Sequence, residues 1–169
     1  MPEVGVEIMK GDRAFYIAKT VNIGRLTPAT TIAHEITHGT EIQNPATLAA
    51  SRAFLKSRRK PGEKTVKLRN LFPGNGYEPW EITIEDDFAP KGGHAYSGKI
   101  YSPGIGNTEL RQTWIKALKT DPDGAFGILE ATELLTMGIE RLQRDPIAFA
   151  LEDRDYFNFT LTTLQKLEP

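Results

Sequence analysis

Thr30-Thr31-Ile32-Ala33-His34-Glu35-Ile36-Thr37-His38-Gly39 is the stretch on which the reading of this chain turns, because it holds the pattern H-E-x-x-H. On an α-helix successive residues turn by about 100°, so residues four apart share a face. His34 and His38 therefore point the same way, with Glu35 on the flank. A helix is expected here: Thr27 stands as an N-cap, Pro28 suits the first helical position, and Ile32 and Ile36 recur at helical spacing. The helix should run to about Gln43, where Asn44-Pro45 stops it.

Two imidazoles on one face suit a zinc ion, and a catalytic zinc takes about three protein ligands with one position open to water. Glu35 adjoins His34 too closely to ligate from the same side, but its carboxylate can take a proton from water on the ion, whose pKa zinc lowers towards about 7. This is the zinc-peptidase helix motif with the glutamate as general base. Two of the chain's three histidines lie in it, which argues against chance. The bland alternative is an ordinary amphipathic helix with one hydrogen-bonded core histidine.

The third ligand has to come from elsewhere. A histidine six residues after His38 would give the metzincin extension, but position 44 is Asn. The candidates are a carboxylate or His94. Glu133 is preferred because it falls among apolar residues of a long helix expected from Phe126 to Arg144, and a buried carboxylate costs several kcal/mol unless a cation or hydrogen bonds compensate it. Glu130, one turn earlier, is expected to orient a ligand histidine, and Glu41 is a further option. His94, Tyr96 and Tyr101 compete for stabilising the oxyanion of a tetrahedral intermediate.

The chain as a whole sets outer limits. Its 169 residues fit one domain, residues 1–169, with a sizeable core. A net charge of −1 gives no global attraction to nucleic acid or membrane. No cysteine is present, so disulfides, thiolate metal sites and cysteine nucleophiles are excluded. Residues 1–10 contain no long apolar run, so neither a signal peptide nor a membrane span is expected, and the location expected is cytoplasmic.

Along the chain, residues 13–23 read as an edge strand, Ala46 to Arg58 as a helix, Thr65 to Phe72 as a short strand, and Trp80 to Glu85 and His94 to Tyr101 as paired strands. Helices follow at Thr108–Lys119, Ile147–Leu151 and Asp155–Lys166. Eight cations, from Arg52 to Arg69, face only Glu63 in that interval. The reading adopted is a solvated helix end with cations at the helix C-terminus; a nucleic-acid surface would bring steep salt dependence. The fold expected is α+β: a small, mostly antiparallel sheet packed on the His34 helix, with a helical C-terminal part.

His34-Glu35-Ile36-Thr37-His38, joined to Thr132-Glu133-Leu134-Leu135-Thr136-Met137-Gly138-Ile139-Glu140, resembles the gluzincin type of zinc metallopeptidase. The run through Asp145-Pro146-Ile147-Ala148-Phe149-Ala150 to Asp155-Tyr156-Phe157-Asn158-Phe159 is similar to the metallopeptidase-like domain of phage and prophage minor head proteins, as is Tyr96-Ser97-Gly98-Lys99-Ile100-Tyr101. The resemblance implies a zincin-like fold, one Zn2+ held by His34, His38 and Glu133, Glu35 as base, and a protein or peptide substrate. It also implies phage or prophage assembly proteins as partners and association with a virion. Two other classes compete: an assembly module whose zinc is closed by a fourth ligand such as His94, and a metal-free nucleic-acid-binding module using residues 52–69.

Overall fold

Apolar β-branched residues lead the chain into strands. The computed structural model describes residues 5–9, 14–17, 19–25, 27–84, 95–103 and 107–167. By internal contacts the chain divides into two compact units: residues up to Thr47 with those from Leu134 onward, and Leu48–Glu133. Eight α-helices and two three-stranded sheets are present among the described residues, an α+β composition. No described helix is long and apolar enough to cross a membrane.

The first unit opens with β1 (Gly5–Ile8), β2 (Phe15–Ile17) and β3 (Thr20–Ile23) in the order β1-β3-β2. β3 runs parallel to β1 and antiparallel to β2. The single edge strand expected over residues 13–23 is thus a hairpin with its second arm at the centre of the sheet. Lys19 has φ 66°, the left-handed conformation that a tight reversal between right-twisted strands demands. The sheet beside the His34 helix is accordingly mixed and not mostly antiparallel.

Helix α1 (Ala29–Gln43) follows and packs on β2 and β3. Its N-cap is Pro28 without a side-chain cap, while the Thr27 hydroxyl accepts from the Gly24 N–H at 2.8 Å. Thr27 therefore stabilises the turn before the helix and does not cap it. Gly39 is required where α1 meets β2: a Cβ there would sit 2.5 Å from the Tyr16 ring. Helix α2 (Pro45–Arg58) starts at once because Asn44 Oδ1 accepts from the N–H groups of Ala46 and Thr47.

The second unit continues with β4 (Thr65–Lys67), the short α3 (Leu68–Leu71), β5 (Ile82–Ile84), a 3-10 turn (Ala95–Gly98), β6 (Lys99–Ile100), α4 (Thr108–Thr120) and α5 (Pro122–Gly127). Its sheet is wholly antiparallel in the order β4-β5-β6. Three strand expectations shorten here. Thr65 to Phe72 is strand only to Lys67, Trp80 to Glu85 only at Ile82–Ile84, and the arm to Tyr101 is mostly 3-10 turn; positions 85 and 94 lie outside the described residues. Trp114, buried, donates from Nε1 to the Ala125 carbonyl at 3.0 Å.

The chain then enters α6 (Leu134–Arg144), α7 (Pro146–Glu152) and α8 (Arg154–Gln165) of the first unit. The long helix expected over Phe126–Arg144 is broken between Gly127 and Leu134. The main chain there has partners distant in sequence: the Leu129 carbonyl accepts from Arg52 Nε at 2.6 Å, and Thr132 bridges to Ile100. Both take groups that a continuous helix would use for itself. α6 packs on α1 and α8, and the Tyr156 hydroxyl donates to the Leu134 carbonyl at 2.5 Å. At Gly138 a Cβ would run into Thr160 of α8.

Candidate metal centre

The buried stripe of α1 is polar: His34, Thr37, His38 and Glu41, at helical spacing, are the side chains turned inward, while Ile36 and Ile42 are 38 and 41% exposed. Of the two isoleucines whose spacing marks the helix, Ile32 is half-buried and Ile36 exposed, so that spacing does not mark the inner face. Burying polar groups is unfavourable unless each finds a partner. His34 and His38 have their ring centroids 4.9 Å apart and nearly edge to face.

His34 Nδ1 lies 2.8 Å from Glu140 Oε1. Glu140 is in the middle of α6, which packs against α1. A carboxylate on Nδ1 favours the tautomer protonated there, with Nε2 the unprotonated nitrogen, the arrangement found behind ligand histidines. The residue expected to orient a histidine, Glu130, is exposed instead. Glu140 stands seven residues after Glu133, and the sequence reading touched it only as the last residue of the stretch that resembles the gluzincin type. Glu140→Ala is expected to weaken Zn2+ binding by about 10- to 100-fold in a titration against a chromophoric chelator. Undiminished affinity would remove Glu140 from the site.

Glu133 is 0% exposed and is bonded directly to Leu134, the first residue of α6. It thus sits at a helix start and not at mid-helix as its apolar neighbours suggest. Ligand atoms of His34, His38 and Glu133 all lie within 4.8 Å of one another, so the three could hold a metal ion. Neutral imidazole nitrogen and carboxylate oxygen are donors zinc accepts.

Glu133 has protein partners as well. The Tyr101 hydroxyl donates to its Oε1, and Lys99 Nζ stands 3.8 Å from the same oxygen and 2.9 Å from Glu81 Oε1. The ammonium also lies 4.5 Å from the Tyr101 ring centroid and 5.0 Å from that of Tyr96. Burial, reinforced by the Glu133 charge, pushes both tyrosine hydroxyls well above their ordinary value, so both are neutral donors across the physiological range. The Tyr101 hydroxyl and the Lys99 ammonium hold the Glu133 carboxylate in place. Lys99, 6% exposed, escaped the sequence reading because it alternates with apolar residues as a solvated strand lysine would.

Glu35 is half-buried on the flank of α1 beside His34. Tyr101 joins the centre through Glu133, Glu41 is wholly buried on the same stripe of α1, and His94 lies outside the described residues. No family model matches the chain, and neither a curated protein nor a solved structure matches it.

Proposed function

We propose that the chain is a zinc-dependent metallopeptidase of zincin-like design, with His34, His38 and Glu133 holding the ion and Glu35 acting as general base. The observation that carries this reading is the convergence of the two motif histidines with a fully buried carboxylate distant in sequence. A chance H-E-x-x-H on a surface helix has no reason to find such a partner. When bound, the ion supplies Lewis acidity, polarising the scissile carbonyl and making water acidic enough to attack near neutral pH.

The chain's own residues supply the rest. Glu140 keeps the His34 imidazole in the ligating tautomer, and Tyr101 with Lys99 fixes the Glu133 carboxylate. Glu35 removes the proton from the attacking water and returns it to the leaving amine, so one carboxylate serves as base and then as acid. Three protein ligands would leave a fourth position for water, as a hydrolytic zinc site needs. Phage or prophage assembly proteins are the partners to try first, on the resemblance of residues 94–159.

The purified chain should bind one equivalent of Zn2+ and cleave fluorescein-labelled casein in a reaction that a chelator stops and added zinc restores. A folded chain that takes up no zinc would end the proposal.

A further inference from the structure

Lys99 is the first residue of β6 and stands opposite Thr83 of β5. Residues paired across an antiparallel ladder share a face, and Thr83 is wholly buried, so the lysine is carried inside with it. A lysine at that depth is uncommon, because its ammonium gives up water and needs partners in its place.

Two carboxylates and two aromatic rings are those partners. Lys99 Nζ lies 2.9 Å from Glu81 Oε1, a hydrogen-bonding distance, and 3.8 Å from Glu133 Oε1, which is too long for one. The Tyr101 and Tyr96 ring centroids, at 4.5 and 5.0 Å, are within cation–π range. Tyr96 is backed by Tyr77 and Tyr77 by Phe72, each pair with centroids 6.0 Å apart. The ammonium is thus tethered to Glu81 inside an aromatic wall and acts on Glu133 through space, by charge. The directional bond to Glu133 Oε1 is donated by the Tyr101 hydroxyl.

We propose that Lys99 is an internal counter-cation of the metal centre. It offsets the Glu133 charge when no metal is bound and, having the sign of the ion, holds metal affinity below what His34, His38 and Glu133 would otherwise give. That role presupposes the zinc site proposed above and adds to it a residue that sets how tightly the ion is kept. Two cations drawn to one carboxylate repel each other, and more strongly in a buried setting than in water. Glu81 divides the pull of the ammonium between two carboxylates. Lys99, Glu81, Tyr96, Tyr101 and Glu133 all belong to the second unit.

A lysine that only positioned Glu133 would weaken zinc binding on removal; a counter-cation does the reverse. Lys99→Met removes the repulsion while Tyr101 still orients Glu133, so Zn2+ should bind about tenfold more tightly or better. Glu81→Gln turns the ammonium towards Glu133, so Zn2+ should bind more weakly than to the parent. The opposed signs are the signature of charge.

The test is competition for Zn2+ between a chromophoric chelator and each full chain, repeated in about 0.5 M salt, where a buried pair is screened little and both differences should persist. Thermal melts give a readout free of the affinity assay: in chelator Lys99→Met should melt below the parent, and added zinc should raise its Tm by more. A Lys99→Met chain that folds only with zinc would also support the proposal, and if it folds in neither condition the Glu81→Gln affinity decides. Zinc binding to Lys99→Met at or below the parental affinity, or to Glu81→Gln at or above it, would overturn the counter-cation and leave the zinc site standing. A parent chain that takes up no zinc would end both.

Discussion

Glu35→Gln should leave zinc binding intact and lower the rate of casein cleavage by about 10² to 10⁴, the range that general acid–base catalysis contributes. The substitution is nearly isosteric and the side chain is only half-buried, so the fold has little to lose. A carboxamide hydrogen-bonds water but cannot take its proton, and it cannot carry that proton to the leaving amine. The decisive comparison is therefore between zinc content, unchanged, and kcat, collapsed. A Glu35→Gln chain that cleaves casein at the parental rate would show that the proton moves by another group.

Glu133→Gln should have two separable effects. Removing the ligand charge should weaken Zn2+ binding by at least about 100-fold, beyond what loss of an orienting partner costs. Without metal, the variant should be less stable by about 1 to 3 kcal/mol, the cost of leaving a buried charged hydrogen-bonding partner short. That cost is limited because Lys99 keeps Glu81 at 2.9 Å and Tyr101 can still donate to an amide oxygen. Thermal melts in chelator read the second effect; the rise in Tm with added zinc reads the first, since a ligand of the folded state alone stabilises in proportion to the logarithm of its saturation. If the melts shift but zinc affinity does not, Glu133 is a structural carboxylate and the third ligand lies elsewhere, with Glu41 next in line.

Much of the fold was legible because many of its signals are local. Asn44, Asn107, Asp121, Asp145 and Asp153 each accept from main-chain N–H groups of the helix that follows, so short polar residues mark these boundaries. Asp121-Pro122 and Asp145-Pro146 each follow one helix and start the next, with proline just inside it. The elements that misread are those where a distant group outbid the local preference. Arg52 and Ile100 hold the segment before Glu133 out of helix, and Lys19 in the left-handed region turns one strand into two.

At the site, residue types and spacing on one helix were enough to single out His34, Glu35 and His38, because side-chain direction on a helix follows from its 3.6-residue period. Glu133 could be suspected from the energetic cost of its surroundings, but its burial and its nearness to both imidazoles are properties of the folded chain. Glu140 on His34 and Lys99 on Glu133 were decided by tertiary structure alone. Nothing local distinguishes a glutamate or lysine that will be buried against an opposite charge from one left in water, since that difference resides in the solvent each loses and the partner each gains on folding.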